Sequence, residues 1–123
     1  MARIYIMDGN PFFSETQEKI LSQAFPSAGI RKFINSENLL SELEDHPPDA
    51  IFMDISLYDM EGLQLIRAIK AKNKDITVIV ITGYDGVEYA GAASEAGADA
   101  FLSKNRITPA ELVEVARTLI NNA

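Results

Sequence analysis

The sequence of 123 residues contains no cysteine and only one histidine, His46. Without cysteine there is no disulfide, no thiol nucleophile and no thiolate metal site, which fits a reducing compartment. No apolar run approaches membrane-spanning length, and Asp8 interrupts the amino-terminal apolar residues too early for a signal peptide. We therefore expect a cytoplasmic protein. His46 precedes two prolines in a polar segment, and we assign it no role.

Basic residues are also scarce, with eleven Lys and Arg against eighteen Asp and Glu and a net charge of -7. Because a nucleic-acid surface needs clustered cations to neutralise phosphates, we expect no direct nucleic-acid binding. A hydrophobic content of 47% is enough for one core in a chain of this length. We expect residues 1–123 to form a single domain.

The sequence does contain a repeated alternation between short apolar runs and stretches of helical apolar spacing. The runs are mostly continuous, as in strands buried on both faces of a sheet. Five such runs with intervening helices and short connections predict an α/β fold, a doubly wound parallel sheet with helices on both faces. The predicted strands are Ile4–Met7, Ile30–Ile34, Ala50–Met53, Val78–Ile81 and Ala100–Leu102.

Each helical stretch has a residue suited to begin it. Asn10 precedes Pro11, and Thr108-Pro109-Ala110-Glu111 forms a capping box with proline at the first helical position. Ser36 is predicted to cap the second helix, Gly62 to precede the apolar residues of the third, and Asp85 to open the fourth.

Polar residues directly follow four of the predicted strands: Asp8, Asp54, Thr82 and Lys104. Ligand sites in doubly wound sheets form beyond the carboxyl ends of the strands. If the strand order is 2-1-3-4-5, the first and third strands are neighbours and the two acids converge. Two carboxylates so close repel unless a cation intervenes, and their oxygens suit Mg²⁺. A carboxylate nucleophile with a metal, an ammonium and a hydroxyl is suited to receiving a phosphoryl group.

From Arg3–Asp8 through Gly97–Lys104, nearly the whole chain resembles the receiver domain of two-component response regulators. The resemblance implies a flavodoxin-like fold with five strands in the order 2-1-3-4-5. It also implies that Asp54 is the phosphoacceptor. The metal ligands implied are Asp8, Asp54 and the main-chain carbonyl of Ser56.

The same resemblance makes Thr82 the switch hydroxyl, Lys104 the catalytic lysine and Phe101 the switch aromatic. It implies a signalling switch that takes a phosphoryl group from a histidine kinase or a phosphotransfer protein. Phosphorylation would change the surface of the fourth helix, fifth strand and fifth helix, for a downstream protein, a fused output domain or a homodimer. Such a protein is not an enzyme beyond its own phosphorylation and dephosphorylation.

The sequence departs from the receiver pattern after Asp8, where most members have a second acid and this chain has Gly9. Loss of a supporting residue typically lowers metal affinity about 10- to 100-fold, and a direct carboxylate should matter at least as much. We expect weak Mg²⁺ binding. The alternative is a pseudo-receiver, an interaction module that works without phosphorylation. Leu57 and Tyr58 also depart from the usual Met-Pro.

Taken singly, the candidate residues have ordinary explanations: Asp8 and Asp54 as helix caps or loop acids, Thr82 as a strand end, Lys104 as a surface lysine and Phe101 as core. Their shared placement favours a site. A flavin carrier fits poorly, because residues 9–13 offer little hydroxyl for a phosphate loop. An aspartate-nucleophile phosphatase would need an acid where Ser56 stands.

Overall fold

In the computed structural model, which describes residues 2–56 and 61–120, five strands alternate with five helices. All five apolar runs predicted as strands are strands, with ends that differ by a residue at most. The elements are β1 (Arg3–Met7), α1 (Pro11–Ala24), β2 (Gly29–Phe33), α2 (Ser36–Asp45), β3 (Ala50–Met53), α3 (Gly62–Lys72), β4 (Thr77–Thr82), α4 (Val87–Ala96), β5 (Ala100–Ser103) and α5 (Pro109–Leu119).

The strands form one parallel sheet in the order β2-β1-β3-β4-β5, which confirms the predicted topology. Met7 of β1 pairs with Met53 of β3, so the acids that follow these residues emerge side by side. Thr82 of β4 pairs with Ser103 of β5, so Lys104 follows directly beside the end of β4.

The sheet separates two apolar cores, as the continuous apolar character of its strands predicted. Side chains on one face of the sheet pack with α2, α3 and α4, and those on the other face pack with α1 and α5. Alternate strand residues serve the two faces, so that Tyr5 and Met7 belong to the first core and Ile4 and Ile6 to the second. Helices on both faces of the sheet are thereby confirmed.

Two of the predicted helix starts are confirmed by their capping bonds. The side chain of Asn10 accepts a hydrogen bond from the Phe13 amide, and that of Thr108 accepts one from the Glu111 amide. Both caps satisfy amides that would otherwise lack a partner in the first helical turn. The predicted cap at Ser36 is wrong by one residue, because Asn35 has the extended backbone of a cap and accepts from Asn38.

No helix within residues 2–56 and 61–120 is both long enough and apolar enough to cross a membrane.

Candidate functional site

Asp8 and Asp54 lie next to each other at the carboxyl edge of the sheet, and Lys104 joins them. The Lys104 Nζ lies 2.9 Å from Asp8 Oδ2 and 2.8 Å from Asp54 Oδ2. Both acids are buried, with 3% and 7% of their surface exposed. The three side chains form one ionic cluster, in which a single cation faces two carboxylates.

The second oxygen of each carboxylate is held by the backbone that follows it. The amide of Asn10 donates to Asp8 Oδ1 at 2.9 Å, and the amide of Ser56 donates to Asp54 Oδ1 at 3.0 Å. Each acid is therefore fixed from two sides.

Lys104 is held between these acids and the ring of Phe13, whose centroid lies 4.4 Å from Nζ. Burial alone would lower the pKa of Lys104, but hydrogen bonds to Asp54 and Asp8 and their charges outweigh it. The net pKa therefore lies above the ordinary value, so the ammonium keeps its proton at neutral pH.

A cleft of about 460 Å³ opens beside the ionic cluster. It has room for small ions with their water, and polar groups converge on it from three loops. The residues that line it are Asp8, Gly9, Asn10, Pro11, Asp54, Ser56 and Lys104.

Thr82 is completely buried at the end of β4, and the lining of the cleft among the described residues does not include it. Its carbonyl accepts from the Lys104 amide at 2.9 Å, and its Oγ1 accepts from the Tyr84 amide at 3.2 Å. Phe101 on β5 is partly buried against the core that contains α2, α3 and α4. The switch roles of Thr82 and Phe101 stay predictions.

The prediction that Asp85 opens α4 is wrong. That helix begins at Val87 after Gly86, and the Asp85 carboxylate instead accepts from Ser103 Oγ at 2.6 Å and from Asn105 Nδ2 at 3.3 Å. The carboxylate is therefore committed to the loop after β5. These bonds tie together the two loops that follow Thr82 and Lys104.

Gly62, the first residue of α3, makes a close backbone contact with Ile55, which directly follows Asp54. The amide of Gly62 donates to the Ile55 carbonyl, and a Cβ on Gly62 would lie 2.3 Å from Ile55 Cα. Only glycine fits here, so the start of α3 fixes the residue next to Asp54. Leu57 and Tyr58, where the sequence departs from the receiver pattern, lie outside the described residues.

The oxygen atoms of the site suit a hard divalent cation, because Mg²⁺ takes carboxylates and carbonyls and keeps several waters. Gly9 lines the cleft but offers no side-chain ligand. Within the described part of the chain, no group of three or more His, Cys, Asp or Glu is placed to hold a metal. The donor set therefore fits Mg²⁺ with at most two carboxylates.

Two residues of α1 that were not predicted as site residues also contact the ionic cluster. Phe13 lies against Lys104, and the Nε2 of Gln17 lies 3.4 Å from Asp8 Oδ2. Gln17 is separated from Phe13 and from Leu21 by four residues, a spacing that places all three on one helix face. A glutamine on that apolar face was the available signal.

A family model described as response regulator receiver domain matches residues 4–117. Among curated proteins, the transcriptional regulatory protein YhcZ of Bacillus subtilis is 31% identical over 109 residues, which are 89% of this chain and 47% of that protein. The Fimbriae Z protein of Salmonella typhimurium is 28% identical over 105 residues, which are 85% of this chain and 50% of that protein. This chain thus spans about half the length of these relatives.

Solved structures show the same fold. A response regulator receiver domain protein from Methanospirillum hungatei superposes with a TM-score of 0.88 at 25% identity, over 99% of this chain and 95% of that one. A DNA-binding response regulator of the LuxR family from Staphylococcus aureus gives a TM-score of 0.87 at 22% identity, over 98% of this chain and 100% of that one. At 22% identity, the similarity to the Staphylococcus aureus protein supports the fold alone.

Proposed function

Since the chain belongs to the response regulator receiver domain family, we propose that it is a phosphorylation-dependent signalling switch with Asp54 as phosphoacceptor. The supporting observation is the Lys104 ammonium between the buried carboxylates of Asp8 and Asp54. The phosphoryl group comes from a histidine kinase or a phosphotransfer protein. The signal passes to a downstream protein, a fused output domain or a second copy of the chain.

The proposed transfer uses groups already in the site. A carboxylate oxygen of Asp54 forms a bond to phosphorus while the bond from phosphorus to the donor's imidazole nitrogen breaks. The donor keeps that electron pair and takes up a proton. No base is needed, because a carboxylate is already an anion at neutral pH. The ammonium of Lys104 is close enough to Asp54 to stabilise the charge of the phosphoryl oxygens.

Mg²⁺ would be held by Asp8, Asp54 and the main-chain carbonyl of Ser56. It would supply positive charge to the phosphoryl oxygens. Since Gly9 offers no ligand, we propose weak binding, at least about tenfold weaker than with a second acid at that position.

The proposed conformational change starts at Thr82, whose hydroxyl turns to bond the phosphoryl group. In the structure Thr82 Oγ1 accepts from the Tyr84 amide at 3.2 Å, so this turn would end that bond and release the backbone leading into α4. Phe101 then changes its packing, and the surface of α4, β5 and α5 shifts. Such a change is a population shift driven by contacts that exist only in the phosphorylated form.

The proposal is tested by incubating the chain with acetyl phosphate and Mg²⁺ and measuring phosphoryl incorporation by intact mass. We expect one phosphoryl group on the wild-type chain, none on Asp54→Asn, and unchanged incorporation on Asp45→Asn, which alters an exposed acid of α2. Incorporation into Asp54→Asn equal to that of the wild type would refute Asp54 as the acceptor.

A second candidate, the pseudo-receiver that works without phosphorylation, is favoured by one observation. Lys104 already contacts both acids where a metal would bind, and Gly9 supplies no further ligand. This candidate predicts no incorporation at millimolar Mg²⁺ and gain of incorporation in Gly9→Asp. Incorporation by the wild-type chain would exclude it.

We propose no direct nucleic-acid binding by residues 1–123, because their net charge is -7.

A further inference from the structure

A glutamine lies on the apolar face of α1 where the helix packs against the sheet. Gln17 is 3% exposed, and it is one turn of helix away from Phe13 on one side and from the fully buried Leu21 on the other. Burying an amide without satisfying its hydrogen bonds is unfavourable. An apolar residue would serve the packing of this face better.

The Gln17 amide is poorly satisfied in the fold. Its described hydrogen bond runs from Nε2 to Asp8 Oδ2 at 3.4 Å, which is long. Its Oε1 is the one buried side-chain N or O atom without a hydrogen-bond partner in the described ranges. The opposite orientation of the amide would place Oε1 against a carboxylate oxygen, so Asp8 determines which way the amide faces.

We propose that Gln17 is a positioning residue that holds the Asp8 carboxylate in the orientation for binding a divalent cation. This inference rests on the proposed function, in which Asp8 is a metal ligand. Because Gly9 contributes no acid, Asp8 is the only carboxylate at the end of β1, and its orientation matters more than in a site with two. A local cost in packing at a functional site is a common pattern in proteins.

The geometry explains why one donor can matter. Asp8 Oδ2 receives Lys104 Nζ at 2.9 Å and Gln17 Nε2 at 3.4 Å, and the same Nζ also contacts Asp54. Without Gln17, Lys104 would be the only partner of Oδ2 among the described residues, so a movement of the lysine would leave that oxygen without a donor. The Gln17 amide is anchored on a helix and gives Oδ2 a support independent of Lys104, as the Asn10 amide does for Oδ1.

The test is Gln17→Met, which keeps the length of the side chain and removes both amide groups. Mg²⁺ binding is followed on the amide resonances of Asn10 and Ser56, which donate to the two carboxylates. We expect Mg²⁺ affinity to fall about tenfold, the lower end for a residue that supports a metal ligand. The urea midpoint of the metal-free chain should stay the same or rise, because an apolar side chain replaces a poorly satisfied amide.

Leu21→Met is the matched control, a similar replacement one helical turn away, and its Mg²⁺ affinity should equal that of the wild type. Gln17→Leu provides a second apolar variant and should reproduce the loss. A merely structural role for Gln17 would lower the urea midpoint without changing the affinity. Affinity that is unchanged or higher in both Gln17 variants would overturn the inference and leave the proposed function intact. If the wild-type resonances do not respond to millimolar Mg²⁺, the proposed function fails, and the inference fails with it.

Discussion

The sheet has an amino edge, where its strands begin, and a carboxyl edge, where they end. Each edge has a lysine paired with acid, but the two pairs differ in their contacts. At the amino edge, Lys70 Nζ contacts Asp99 Oδ2 at 2.8 Å and the Ile76 carbonyl at 2.7 Å, and the same Asp99 oxygen accepts from the Val78 amide. These bonds join α3 to the starts of β4 and β5. One cation, Lys70, faces one acid, Asp99, and each also forms a hydrogen bond with a backbone group.

At the carboxyl edge, Lys104 faces two acids, and the remaining space is an open cleft. One cation for two buried carboxylates leaves a deficit of positive charge, which a further cation could relieve. A lysine–carboxylate pair alone therefore does not identify a functional site. An excess of one sign beside an open cleft is the distinguishing feature.

Glycine substitutions should give the largest difference between the two edges in the free energy of unfolding. In Gly62→Ala, the new Cβ would lie 2.3 Å from Ile55 Cα and 2.4 Å from its carbonyl oxygen, so the backbone beside Asp54 must shift. We expect a loss of about 3 kcal/mol or more in the free energy of unfolding, at the high end for overpacking because the obstacle is backbone. Urea unfolding measures it.

The control is Gly29→Ala at the amino edge, where a Cβ would meet nothing within 4 Å. That variant should be neutral or more stable by up to about 1 kcal/mol, because alanine restricts the unfolded chain. Equal losses in the two variants would show that Gly62 is not constrained by the Ile55 backbone.

Removing the lysines should have the next largest effect. Lys104→Met leaves two buried carboxylates facing each other, and we expect a loss of about 2 kcal/mol near pH 7. That figure is below the usual range for a fully buried pair because the cleft admits water. Added Mg²⁺ should restore part of the stability by replacing the missing charge.

Lys70→Met tests the opposite edge. It should cost about 1 kcal/mol, because its pair is partly exposed and only one acid remains. Mg²⁺ should not restore that loss. If Mg²⁺ stabilised both variants equally, the charge excess at the carboxyl edge would not be specific to the cleft.

The sequence predicted the strands because buried parallel strands are continuous apolar runs with distinct boundaries, and the resemblance to receiver domains implied their order. It also placed Asp8, Asp54 and Lys104 at one edge, since polar residues that end neighbouring parallel strands must meet there. It failed for Asp85, whose partner Ser103 lies eighteen residues away and becomes its neighbour only when β4 and β5 pair. Gln17 was missed because its partner is Asp8, which lies outside α1. Helical spacing shows which face of the helix Gln17 occupies but not this contact.

The smallest predicted effect concerns the contact between the loops after β4 and β5. Hydrogen bonds from Ser103 and then Asn105 lower the pKa of Asp85 below its ordinary value. The pKa of an aspartate in the unfolded chain is about 3.9. Because the pKa of Asp85 is lower in the folded protein, the ionised carboxylate stabilises the fold above that pH. This stabilisation is lost as the pH falls through the pKa of the folded state. Ser103→Ala should therefore be slightly less stable than the wild type at neutral pH, and the difference should shrink below about pH 4.

Ser41→Ala is a suitable control for this pH dependence, because Ser41 donates to the Asn38 carbonyl and not to an acid. Its stability difference from the wild type should not change across the same pH range. The measurement is urea unfolding between neutral and acidic pH, together with the NMR titration of the Asp85 carboxyl in both chains. The carboxyl of Asp85 should titrate at a higher pH in Ser103→Ala than in the wild type. An unchanged titration would mean that Ser103 does not hold the Asp85 carboxylate in solution, and the two loops would then be joined through Asn105 and the Lys104 backbone.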